Sequence, residues 1–103
     1  MAVVKITNEN FEQEVINSEK PVLVDFWASW CGPCKMLSPV IEQIGNEVTD
    51  FKVGSVNVDD EMDLAEKFNI NSIPCLIVFK NGAEAKRSVG VIPKTKILDL
   101  VKD

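Results

Sequence analysis

The chain has 103 residues, of which 46% are apolar, and its formal net charge is −5. This length suits one folded domain over residues 1–103, and the apolar content excludes a disordered chain. The acidic charge argues against a nucleic-acid partner, because few cations could displace phosphate counterions. No apolar run reaches the roughly 20 residues that span a bilayer, so we expect no membrane partner either.

Cysteine usage indicates a reducing compartment. The chain has three cysteines, whereas disulfide-stapled secreted domains carry more of them, in pairs. The first residues lack the basic and apolar regions of a secretory signal. We therefore expect a cytoplasmic protein in which a Cys-x-x-Cys pair is catalytic or metal-binding rather than structural.

The N-terminal part of the chain predicts two strands separated by a helix. Residues 3–6 are rich in β-formers, and residues 7–10 offer capping side chains for a helix of about three turns. That helix is expected to end at Lys20, because the residue before a proline is pushed out of the α region. Residues 21–27 are almost all apolar, which is typical of a strand covered on both faces, and Asp25 is the exception.

A long helix is predicted to begin at Cys31 and Cys34. Its apolar stripe consists of residues that recur at helical spacing: Leu37, Val40, Ile41, Ile44 and Val48. Pro39 lies within this stripe and has no backbone N–H to donate, so we predict a kink one to two turns into the helix.

The second half of the chain predicts three more strands and two helices. Residues 51–58 and 75–79 read as strands, with a short helix between them that begins in the acidic residues 59–61. Asn81–Gly82 predicts a hairpin and hence an antiparallel strand over residues 85–89, because both turn positions tolerate a positive φ. Pro93 opens a last helix. This order predicts an α/β fold, a mixed sheet with helices on both faces.

The stretch Cys31-Gly32-Pro33-Cys34 carries the chemistry of the chain. A thiol attacks a disulfide only as a thiolate, so its pKa must fall below the ordinary value of about 8.5. Cys31 would lie just before the first turn of the long helix, where free N–H groups and the helix dipole favour a negative sulfur. We therefore expect Cys31 to be the accessible nucleophile and the more buried Cys34 to resolve the mixed disulfide.

Asp25 is the candidate base that would take the Cys34 proton. A lone carboxylate in an apolar strand is costly to ionise, so its pKa should rise towards neutrality. Such a group could accept the proton directly or through one water. The alternative is a hydrogen-bonded core acid without a chemical role.

The competing interpretation of Cys-x-x-Cys is half of a metal site. Zinc needs four ligands, usually from a second Cys-x-x-Cys or a histidine pair. The chain has no histidine, and only Cys75 is left over. It also has no Gly-x-Gly-x-x-Gly motif or phosphate loop. We therefore expect no metal and no cofactor other than a redox-active disulfide.

Several motifs together resemble the thioredoxin family. Trp-Cys-Gly-Pro-Cys-Lys at residues 30–35, after Val-Asp-Phe-Trp-Ala, is similar to that family's active-site sequence. Pro39 matches its helix-kinking proline, residues 72–74 its cis-proline segment, and Asn81–Gly82 its hairpin. The resemblance implies a thioredoxin fold with a central five-stranded mixed sheet, four helices, and a cis-proline at Pro74 before strand 4.

The resemblance also implies a site and partners. Residues of the redox motif that tune the thiols would be Trp30, Gly32, Pro33 and Lys35. An apolar substrate groove would consist of Trp30, Gly32, Pro33, Ile73, Pro74, Val89, Gly90 and Val91. The implied activity is general protein-disulfide reduction by a monomer that a separate thioredoxin reductase regenerates. Implied targets are enzymes of the ribonucleotide reductase, peroxiredoxin and methionine sulfoxide reductase types.

Two positions depart from the family pattern. Ser55 stands where a lysine near the buried acid is frequent, so we predict that the Asp25 pKa is raised at least as much as in relatives with the lysine. Cys75 follows Pro74, where threonine is usual. It is interpreted either as a small buried strand residue or as a regulatory thiol close to the site.

Two other functions are compatible with the motif. An oxidase or isomerase would keep the fold and reverse the direction of electron flow, but the Gly-Pro pair between the cysteines and the lack of a signal peptide argue against it. A binding module would use the groove without the chemistry, and the intact cysteine pair argues against that interpretation.

Overall fold

A computed structural model describes residues 3–102 of the chain. Five strands and four helical segments follow one another in the predicted order. Their bounds are β1 Val4–Lys5, a π-helical turn Glu12–Ile16, β2 Val22–Trp27, α1 Gly32–Glu47, β3 Lys52–Asn57, α2 Met62–Lys67, β4 Cys75–Lys80, β5 Ala83–Val89 and α3 Lys94–Lys102.

The strands form one mixed sheet in the order β1-β3-β2-β4-β5. β1, β3 and β2 run parallel, whereas β4 is antiparallel to both β2 and β5. β2 therefore lies at the centre, as its apolar sequence predicted, and Asp25 pairs with Ser55 on one side and Leu76 on the other. The charged strand β5 forms one edge of the sheet.

Apolar side chains fill both faces of the sheet. On one face, Leu37 and Ile41 of α1 and Ile97 of α3 pack with Leu23 of β2. On the other face, Leu64 of α2 belongs to the same cluster as residues before and within the π-helical turn. Because side chains alternate along β2, Asp25 shares the face of Leu23 and points towards α1. The prediction of helices on both faces is confirmed.

The first helical segment is shorter than predicted. A helix of about three turns was expected to continue to Lys20, but the π-helical turn ends at Ile16. Ser18 gives the physical reason, because its hydroxyl both donates to the Lys20 carbonyl and accepts from the Lys20 N–H. Such local side-chain bonds compete with helix continuation.

Two further sequence features have defined places. Asn81 and Gly82 form the predicted hairpin turn, with φ of 54° and 80°. Pro39 lies inside α1, and the kink there stays a prediction. None of the helices within residues 3–102 has the length and apolar character that a membrane-spanning segment requires.

Candidate active site

Strand β2 and helix α1 bring the two cysteines to one end of the central strand. β2 ends at Trp27, and Cys31 is the N-cap of α1, with φ −91° and ψ 110°. The Cys31 N–H donates to the Ala28 carbonyl oxygen over 3.2 Å, which tightens the connection between strand and helix. Pro33 lies in the first turn, where its missing N–H removes no intrahelical bond. The predicted helix start at the cysteines is confirmed.

Cys31 and Cys34 form a disulfide, with their Cα atoms 5.3 Å apart. The Cys34 N–H donates to Cys31 Sγ over 3.2 Å, so an N–H of the first helical turn is directed at this sulfur. The N-terminal end of the 16-residue helix adds about half a positive charge at the same place. Both features favour a negative sulfur at Cys31 once the disulfide is reduced.

The predicted difference in exposure between the two cysteines is wrong. Cys31 is 4% exposed and Cys34 is 3% exposed, so both residues are buried to almost the same extent. The reason is tertiary packing, because both cysteines lie in one buried cluster with Ala28, and Trp27 and Ile73 pack against that cluster. Position in the helix, not exposure, distinguishes the two cysteines.

The segment around Pro74 lies beside the disulfide. The Ile73–Pro74 peptide bond is cis, and the Ile73 carbonyl oxygen is 3.8 Å from Cys31 Sγ. The Gly90 N–H donates to the Pro74 carbonyl oxygen over 2.8 Å, and Val89 pairs with Cys75 at the start of β4. Four of the predicted groove positions are thus brought together on one side of Cys31.

The rim of the predicted groove is apolar and exposed. Trp30 is 69% exposed, Val89 57% and Val91 45%. The Trp30 indole N–H donates to Asp59 Oδ2 over 2.9 Å, which restrains the ring although most of it faces solvent. A side chain at Gly32 would meet no heavy atom within 4 Å, so the surface there is open as well.

Asp25 lies behind the cysteines, not in the groove. It is 4% exposed, and its Oδ1 atom has no hydrogen-bond partner among the described residues. Burial raises the pKa of this carboxyl from 3.8 to about 7, in the direction that the sequence predicted. Asp25 and Cys34 both line a cavity of about 420 Å³ between the sheet and α1. This volume could hold water between the two groups.

Comparisons with known proteins point to one family. The family model described as Thioredoxin matches residues 2–103. The chain belongs to the thioredoxin family.

Three relatives illustrate how close the similarity is. A thioredoxin of Mycoplasma genitalium is 50% identical over 88 residues, which cover 85% of this chain and 86% of the relative. A thioredoxin of Mycobacterium tuberculosis strain H37Rv is 48% identical over 103 residues, covering 99% and 89%. One of Porphyra purpurea is 46% identical over 98 residues, covering 94% and 92%.

Family membership and the Cys31–Cys34 disulfide together identify the activity. The chain is a protein-disulfide oxidoreductase that works by dithiol–disulfide exchange, and its redox group is its own disulfide. Within residues 3–102, no group of three or more His, Cys, Asp or Glu side chains could hold a metal ion.

Ser55 and Cys75, the two residues that depart from the thioredoxin pattern, both lie on strands of the central sheet. Ser55 pairs with Asp25 in the sheet and lines the same cavity. Cys75 is a free cysteine that is 1% exposed and packs in a core cluster with Phe26 and Ile77. Burial is the main influence on its thiol and raises its pKa, which favours the unreactive form.

Sequence reasoning missed several residues of the site. Asp59, the partner of Trp30, had no distinguishing signal because it lies in a run of three acidic residues. Lys5 and Glu42 line the cavity of Asp25, and only strand register and helix packing bring them there. Lys35 was predicted as part of the redox motif and also lines this cavity.

Proposed function

We propose that this chain is a general protein-disulfide reductase in which Cys31 is the nucleophile, Cys34 the resolving thiol and Asp25 the proton acceptor. The observation that carries the proposal is the 3.2 Å hydrogen bond from the Cys34 N–H to Cys31 Sγ at the start of α1. It supports a charge on Cys31 in preference to Cys34, because only Cys31 lies at the N-cap.

The reaction transfers two electrons to the target in two exchanges. The Cys31 thiolate attacks one sulfur of a target disulfide, forming a mixed disulfide and releasing the other target sulfur as a thiolate, which takes a proton from solvent. Cys34 then gives its proton to the Asp25 carboxylate and attacks Cys31 Sγ. The second target thiolate leaves, and the Cys31–Cys34 disulfide remains.

Asp25 suits the second exchange because of its environment. A carboxyl with a pKa of about 7 is partly ionised at neutral pH and can take a proton from a thiol in the same cavity. Trp30, Gly32, Pro33 and Lys35 are the proposed residues of the redox motif that set the acidity of the thiols.

Substrate binding is assigned to the groove beside Cys31. The Ile73 carbonyl, 3.8 Å from Cys31 Sγ, offers a backbone acceptor to an extended segment of the target. The exposed apolar rim at Trp30, Val89 and Val91 accepts varied protein surfaces without demanding one sequence. Gly32, Pro33, Pro74 and Gly90 complete the proposed groove.

The proposed partners follow from this activity. The disulfide is re-reduced by a thioredoxin reductase, and targets are enzymes that form a disulfide in each turnover. These include enzymes of the ribonucleotide reductase, peroxiredoxin and methionine sulfoxide reductase types. We propose that the protein works as a monomer in the cytoplasm, where thiols are kept reduced.

An insulin-disulfide reduction assay tests the proposal. Cys31→Ser and Cys34→Ser should each abolish turnover, whereas only Cys34→Ser should retain targets as mixed disulfides that dithiothreitol releases. Cys75→Ser is the matched control, and it should keep turnover and trap no target. Covalent capture by Cys31→Ser rather than Cys34→Ser would overturn the assignment of roles.

A further inference from the structure

The cavity behind the cysteines contains more charge than the exchange reaction described above uses. Its ionisable lining residues are Lys5 of β1, Asp25 of β2, and Cys34, Lys35 and Glu42 of α1. Only Asp25 among the acids is buried in the sheet, and it has an oxygen without a partner in the described structure. An ionised carboxylate here gains most from a cation that can approach it within the cavity.

Strand register places Lys5 and Asp25 in one row across the sheet. Lys5 pairs with Ser55, and Ser55 pairs with Asp25, in parallel strands. Residues in register point to the same face, so all three side chains are directed towards the cavity. Adjacent strands are about 4.8 Å apart, which separates the backbones of Lys5 and Asp25 by about 10 Å. The flexible four-carbon stem of a lysine spans most of this gap.

The neighbouring side chains leave room for the Lys5 ammonium group to approach Asp25. Ser55, the middle residue of the row, is small and uncharged, and it lines the cavity with them. Lys5 is exposed and, within residues 3–102, its ammonium group forms no ion pair or hydrogen bond, so none must break for the side chain to approach Asp25. Glu42 is the one other acid on the cavity wall and is the competitor for this ammonium.

We propose that Lys5 is a positioning residue whose ammonium group keeps the Asp25 carboxylate ionised and ready to accept the Cys34 proton. This inference rests on the proposed function, because it acts through Asp25. When Asp25 takes the proton it becomes neutral, and Lys5 is free to return towards solvent. Lys35 is less suited to this task, because it follows Cys34 on the helix and is not in the row that leads over Ser55 to Asp25.

The direct test is the pKa of Asp25, followed by carbon NMR of its carboxyl group in the oxidised protein, where Cys34 does not titrate. Lys5→Gln should raise this pKa by about half a unit or more, because a nearby cation that favoured the charged form is lost. Lys5→Arg should keep it close to the parent value. Lys96→Gln removes the same charge from an exposed site on α3 and should not move it.

A second variant tests the row itself. Ser55→Lys in the Lys5→Gln background places an ammonium beside Asp25 and should bring the pKa back down. The rate at which the target is released from the mixed disulfide should also be measured against pH. In every variant, the pKa on the acidic side of that profile should match the Asp25 pKa from NMR. An unchanged Asp25 pKa in Lys5→Gln, or an equal rise in Lys35→Gln, would overturn the inference.

The outcomes also separate this inference from the proposed function. If Asp25→Asn reduces insulin as fast as the parent protein, Asp25 is not the proton acceptor and the role of Lys5 in turnover is overturned with it. The NMR titration would still report whether Lys5 and Asp25 interact. If Asp25→Asn is slow and Lys5→Gln leaves the carboxyl pKa unchanged, the proposed function stands and the inference about Lys5 fails.

Discussion

The backbone N–H of Cys34 donates a hydrogen bond to the Cys31 sulfur over 3.2 Å. The two cysteines are almost equally buried, so this bond and the helix start that provides it are what make them chemically different. A hydrogen bond to a charged group contributes about 1.5–3 kcal/mol, more than one to a neutral group. The same geometry therefore favours the thiolate of Cys31 over its thiol.

The first prediction concerns Asp25 and the pH dependence of stability. Burial raises the pKa of its carboxyl from the ordinary value of 3.8 to about 7 in the folded protein. Between these two pKa values the folded state keeps a proton that the unfolded state releases. The free energy of unfolding therefore falls as pH rises from about 4 to about 7, by up to about 4 kcal/mol. Asp25→Asn should remove this slope and make the oxidised protein more stable at pH 8.

Urea unfolding of the oxidised protein at pH 4, 6 and 8 measures the effect. Asp99→Asn, at an exposed position on α3, is the matched control and should keep the parent slope. The account of Asp25 as a desolvated carboxyl is wrong if Asp25→Asn destabilises the protein at pH 8.

The second prediction compares two glycines near the disulfide. Gly90 has φ of 95°, a conformation that strains other residues, whereas Gly32 lies in the first turn of α1. An added Cβ meets no heavy atom within 4 Å at either position, so only backbone conformation separates them. Gly90→Ala should cost about 1–2 kcal/mol of unfolding free energy, and Gly32→Ala should be neutral or stabilising by up to about 1 kcal/mol. Thermal unfolding of both variants checks this difference, and equal melting temperatures would refute it.

Local patterns were enough to predict much of this fold. The apolar run of β2, the helical stripe after Cys34 and the Asn81–Gly82 turn each act over a few residues, and the structure confirms them. The start of α1 at Cys31 follows from the same short-range logic, because the Gly-Pro pair after it suits a first turn.

Other features of the structure were not predicted, and two of them depend on contacts between residues distant in sequence. The equal burial of Cys31 and Cys34 involves Val58 and Ile73, which are distant in sequence and pack against the cluster that contains them. The row of Lys5, Ser55 and Asp25 depends on the pairing of three strands, whose register the sequence does not state. The early end of the first helical segment was missed for a different reason, because the Ser18 hydroxyl bonds the backbone of Lys20, a local competition that the pattern of apolar residues does not reveal.

The third prediction decides between the two interpretations of Cys75. Its thiol is 1% exposed, and burial raises its pKa, so we expect it to be inert in the folded protein. Mass spectrometry after mild peroxide should find Cys31 and Cys34 oxidised and Cys75 unmodified. The same treatment in denaturant is the control and should modify Cys75. Modification of Cys75 in the folded protein would support the regulatory thiol instead.

Alkylation of the reduced protein tests the central claim most directly. Because the two cysteine residues are almost equally buried in the disulfide form, a large difference in their alkylation rates would reflect acidity more than access. Peptide-resolved mass spectrometry after short exposure to iodoacetamide, between pH 5 and pH 9, should show Cys31 reacting first, with a half-maximal rate below the ordinary thiol value of about 8.5. Faster reaction at Cys34, or an ordinary titration of Cys31, would contradict the account.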